Sequence, residues 1–143
     1  MPLVPIKNTL APDLASKLKA VQNRSPLLSA MGQAVKALGV QAFTDASKRP
    51  TDWAPRKVEP KDGHAILQKS TMLRKSIRIT SVTNDTVIIG SDRPYAAAHQ
   101  FGVPERNLPA RPYLPFYKDG QLTPEGNRRV TSALKAALAS QGL

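Results

Sequence analysis

SIRITSVTNDTVIIG, residues 76–90, is where the hydrophobic period of this 143-residue chain changes from that of a helix to that of a strand. Ile77 and Ile79 fall on one face and Arg78 and Thr80 on the other, the alternation of a half-buried strand. TNDT supplies turn residues and VIIG a second β-branched run, so the segment predicts an antiparallel hairpin with Asn84 and Asp85 in its loop. The flanking sequence reads as helices and loops. The hairpin therefore sets the class as α+β: a small antiparallel sheet over 76–90, with room for a further strand near 112–117, packed against a long N-terminal helix and a C-terminal helix, with extended loops.

Towards the N-terminus, residues 1–24 read as an arm and a short helix, with Leu14, Leu18 and Val21 at helical spacing and Pro12 in the first turn. Ser25 is the expected N-cap of the long helix, Pro26 its first residue, and Leu28, Met31, Val35, Leu38 and Ala42 its apolar stripe up to Phe43. Gly32 and Gly39 each cost about 1 kcal/mol against alanine, a cost that close approach of a sheet or another helix offsets. Residues 48–63, KRPTDWAPRKVEPKDG, have neither period and predict a proline-rich loop. Its Trp53 either covers an edge of the core or anchors the loop to a neighbouring subunit. Residues 64–75 read as helix or turn.

Towards the C-terminus, PYAAAHQF predicts a helix of about two turns, capped by Asp92, with Pro94 in its first turn and Gly102 at its end. Residues 103–122 form a proline-rich arm in which VPERNLPARPYLPF alternates proline with large apolar residues, a path stiff before any contact forms. Thr123 caps a last helix begun by Pro124 and Glu125, with Val130, Leu134, Ala137 and Leu138 inward. The whole, residues 1–143, reads as one domain.

Composition narrows the function. The chain has no cysteine and only two histidines, so thiolate metal sites, a Cys/His pair and a disulfide framework are not to be expected. There is no G-x-S-x-G elbow, P-loop or G-x-G-x-x-G. The reading is of a protein that is not an enzyme and needs no cofactor. No stretch approaches the ~20 apolar residues of a membrane span, and nothing resembles a signal peptide, which predicts synthesis in the cytosol. The net charge of +11 raises nucleic acid or an acidic protein surface as a partner. Nine basic residues against three acidic ones lie between positions 48 and 78, and the rest of the excess is scattered.

The segment RPYAAAHQFGVPERNLPARPYLPF, residues 93–116, resembles the phage virion morphogenesis family, the tail completion proteins of Mu-like and related tailed phages. The resemblance rests on a tyrosine-alanine start, a His-Gln-aromatic-Gly turn and Pro-Ala-Arg-Pro followed by an aromatic. It extends more loosely back to Phe43. The chain departs from the family pattern at Thr51 and Asp52 before Trp53, and at Thr71 and Met72, where the family tends to have glycine. The resemblance implies a structural role at the neck or tail end, completing the tail so that it joins a head, in the host cytoplasm during assembly and then in the virion. Implied partners are further copies of itself in a ring, hexameric by tail symmetry, together with tail-tube and connector proteins and DNA in the lumen. A basic nucleic-acid-binding module is the alternative.

In that light Trp53, Tyr95, His99, Phe101, Arg111, Tyr113, Phe116 and Tyr117 are the candidate subunit-interface residues, aromatics and an arginine of the kinds enriched at hot spots. Arg111 is expected to pair with a neighbour's carboxylate. The arm is expected to act as a docking element whose removal, residues 109–117, abolishes assembly and leaves the fold. The other reading of the same aromatics is that they cover their own core.

Overall fold

The computed structural model describes residues 5, 10–57, 61–63, 65–67 and 71–143. Along these the order is α1 (Pro12–Ala20), α2 (Ser25–Gln41), α3 (Met72–Ser76), β1 (Arg78–Val82), β2 (Val87–Gly90), α4 (Ala96–Phe101) and α5 (Pro124–Ser140), with single 3-10 turns at Ala46–Lys48 and Pro104–Arg106. His64 and residues 58–60 and 68–70, within the expected loop and the helix or turn after it, lie outside the described residues.

α2 is the spine. Its stripe of Leu27, Met31, Val35 and Leu38 is buried, and α5 packs along it through Val130, Leu134 and Leu138. Each such leucine contributes about 1.5–3 kcal/mol by leaving water. The first turn of α5 is fixed as its sequence requires, with Thr123 Oγ1 accepting from the Gly126 amide at 3.0 Å. The sheet crosses α2 at Gly32 and the arm crosses it at Gly39. A Cβ on Gly32 would sit 2.6 Å from Val87 Cγ2 and one on Gly39 2.9 Å from Leu114 Cδ2, so close approach is what these glycines permit.

β1 and β2 pair antiparallel, Arg78 with Gly90 and Val82 with Val87. Between the Ile79–Ile89 and Ser81–Ile88 pairs Thr80 is left without a ladder partner, a bulge in β1. The hairpin tip is tied down. Asn84 Oδ1 accepts from the Arg24 amide at 2.8 Å, and Arg24 donates to the Asn84 carbonyl at 2.9 Å and to Asp85 at 2.7 Å.

Three sequence expectations change. Ser25 is the first residue of α2 and not its cap: its hydroxyl donates to Asn23, and the Arg24 amide is held by Asn84 from the hairpin. Asp92 lies four residues ahead of α4, too far to cap it, and its carboxylate faces Arg78 and Arg93 instead. Residues 112–117 form no strand; Phe116 makes one isolated antiparallel bridge to Leu122, because the prolines leave too few amides for a ladder. Thr71 stands at φ 58°, a left-handed conformation costly for a β-branched residue.

Candidate assembly surface

The arm is built into the molecule. Gln100 on α4 is buried, and its Oε1 accepts from the amides of both Tyr113 and Leu114 at 3.1 Å. The Arg111 amide donates to the His99 carbonyl at 2.7 Å. The Arg111 guanidinium, itself buried, donates to the carbonyls of Ala54 and Pro55 at 2.9 and 3.1 Å, so it clamps the proline-rich loop. Trp53 Nε1 returns a bond to the Pro112 carbonyl at 2.7 Å. Gly102 makes this fold-back possible. Its φ of 75° and ψ of 168° suit only glycine, and a Cβ there would meet the Ala110 amide nitrogen at 2.8 Å.

An aromatic cluster fills the space beneath. Phe43 at the end of α2 meets Trp53 edge-on at 5.9 Å and Tyr113 at 5.2 Å, and Arg49 stacks 3.6 Å over the Trp53 ring while donating to the Ala42 carbonyl. The Tyr113 hydroxyl donates to the Ala96 carbonyl at 3.0 Å, and burial pushes its pKa up, so it remains a donor.

Of the candidate interface residues, Trp53, Arg111, Tyr113 and Phe116 are buried within the single chain, at 8, 9, 3 and 5 % exposure. The physical reason is the lack of backbone donors in a proline-rich segment, which folds only when side chains from elsewhere bond its few amides and its many carbonyls. Within the chain, Arg111 finds the carbonyls of the 48–63 loop. The arm is therefore not detachable, since Tyr113, Pro115 and Phe116 belong to the interior.

Tyr95, Phe101 and Tyr117 remain exposed, at 38, 42 and 38 %. Each stands on this rigid base: Phe101 rests 6.2 Å from buried Phe116, and Tyr95 lies edge-on to His99 at 5.9 Å. His99 is half-buried. Desolvation first and the Arg111 charge second lower its pKa, and its Nδ1 has no partner among the described residues. Sequence reasoning missed Gln100, whose partners lie 13 and 14 residues away, and the hairpin tether through Arg24 and Asn84.

Among the described residues no group of three or more His, Asp or Glu side chains could hold a metal, and no helix is long and apolar enough to cross a membrane. What the geometry offers is a stiffened surface. The comparisons agree with a protein that builds particles. The model of the phage virion morphogenesis family matches residues 4–139, and the chain belongs to that family. It is also 28% identical over 122 residues to the Mu-like prophage FluMu G protein 2 of Haemophilus influenzae, covering 78% of this chain and 83% of the relative. No solved structure matches.

Proposed function

We propose that this protein is a tail completion component of the phage neck, a non-enzymatic subunit that closes the tail end as a homo-oligomeric ring, six-fold by tail symmetry, and makes it competent to join a head. The observation that carries the reading is the set of exposed aromatics on α4 and on the arm locked against it, Tyr95, Phe101 and Tyr117, in a chain of this family. Tyrosine and phenylalanine at 38–42 % exposure on a rigid support lose little entropy when a neighbour covers them. Contacts of one patch with a different patch on the next copy close a ring when the rotation divides the circle. Tail-tube and connector proteins would bind the two rims, and the basic surface would face acidic subunits or DNA in the lumen.

Electron microscopy of particles made by a phage lacking this gene tests the role. Full heads apart from unjoined or irregular tails are expected. Normally joined particles would remove the protein from the neck. Duplex affinity falling steeply with log salt would then favour the nucleic-acid module.

A further inference from the structure

β2 is bonded on one edge only. β1 and β2 are the whole sheet among the described residues, and no backbone hydrogen bond joins Val87–Gly90 to any other described segment. Beside the strand opens a groove of about 710 Å³, lined by Met31, Gly32 and Val35 of α2 and by Phe101 and Phe116. Every residue of β2 lines it as well, and because alternate side chains of a strand point to opposite faces, consecutive lining residues mean that the groove follows the free edge. The edge is also undefended. It has no proline and no charged side chain, and the bulge at Thr80 belongs to β1, so nothing in β2 discourages another strand from pairing with it.

Charge narrows the choice of occupant. The chain carries 21 lysines and arginines and a net charge of +11, so copies repel wherever their cations face one another. None of the described residues lining the groove is a lysine or arginine, and the one charged residue there, Asp85, is already paired with Arg24. A second copy can therefore approach here without like-charge repulsion, whereas nucleic acid or an acidic surface is drawn to the cations elsewhere. A small-molecule ligand fits less well, because Gln100 Oε1 is already taken by two amides. Phe101, one of the exposed aromatics, belongs to the same lining, so the groove is continuous with the aromatic surface.

We propose that the groove is the contact between copies, in which an extended segment of the next copy pairs with the free edge of β2 and covers Phe101. The sheet then continues across the subunit boundary, with main-chain bonds supplying affinity and the apolar lining fixing the register. The inference rests on the ring reading and names the surface through which the ring is built.

Sedimentation of the full chain over a range of concentrations, with hydrogen exchange at both ends of that range, tests it. Thr86, exposed, and Ala97, half-buried, line the groove, whereas Ser132 is exposed on α5 outside it. Thr86→Arg and Ala97→Arg are each expected to raise the dissociation constant of self-association about tenfold or more, and Ser132→Arg, which adds the same charge, less than about twofold. The β2 amides that β1 does not hold are expected to exchange about tenfold or more slowly in the associated chain than in the monomer. Association that both groove variants leave intact, or that leaves these amides exchanging freely, overturns the proposal and spares the ring. Slow exchange already present in the monomer gives the edge to the chain itself and likewise overturns the proposal alone. A chain that stays monomeric at every concentration removes the ring reading and the proposal together.

Discussion

Leu134 on α5 and Tyr113 in the arm are both buried, yet different chemistry holds them there. Around Leu134 the core is aliphatic apart from Phe116, and is packed mainly between α1, α2 and α5, whose backbones satisfy their own hydrogen bonds. Around Tyr113 the core is aromatic and joins segments with little regular structure, so Gln100, Arg111 and Trp53 must supply the bonds that a helix or ladder supplies elsewhere. The helical half is stable by volume and the arm half by polar connection. A proline-rich segment of large apolar residues looks like a free docking element, but its scarcity of donors is what ties it to the rest of the molecule.

The contrast can be broken by substitution. Leu134→Ala should cost about 2–5 kcal/mol in denaturant unfolding, the range for a fully buried leucine that leaves a cavity; a loss below about 1 kcal/mol would mean that packing does not hold the helical half. Gln100→Leu keeps the volume and strands the Tyr113 and Leu114 amides, at about 1–3 kcal/mol for each buried donor. If that variant is as stable as the parent, the polar lock is not what holds the arm. Deleting residues 109–117 should then unfold the chain, which circular dichroism reads directly.

Smaller effects sharpen the picture at the edges. Thr71→Gly should raise stability by up to about 1 kcal/mol, because glycine accepts the left-handed backbone that threonine occupies at φ 58°; a lower melting temperature would show that the threonine side chain more than offsets the strain. Glu125 is held down to a pKa of about 2, chiefly by hydrogen bonds from Arg128. Its folded pKa lies below the ordinary 4.5, so its contribution is complete above pH 4.5 and fades as pH falls towards 2. Glu125→Gln should therefore be slightly less stable than the parent at pH 7 and equal to it at pH 2, when both are followed by thermal unfolding. A difference that persists at pH 2 would not come from the ion pairs.

The helical half was legible because period and caps are local. Leu134 and Val130 declare a helix face within a few residues, Thr123 declares its start, and the alternation at Ile77 and Ile79 declares the hairpin. Gly32 signalled the close crossing of the sheet, whereas at Gly39 the segment that comes close is the arm, through Leu114. The arm half was not legible in the same way. A glutamine at position 100 looks the same whether its oxygen faces water or two amides 13 and 14 residues away. Arg111 was readable as a residue seeking two acceptors, but the sequence could not say that these are the carbonyls of residues 54 and 55. The Thr80 bulge and the Asn84 cap on α2 likewise depend on which segments meet in space.

Amide hydrogen exchange of Tyr113 and Leu114 in the isolated, dilute chain tests the internal lock most directly. The account predicts strong protection before any assembly, approaching that of the Leu134 amide, and its loss in Gln100→Leu. Exchange at the rate of an open loop in the isolated chain, with protection arising only on self-association, would contradict it and return the arm to the role of a docking element.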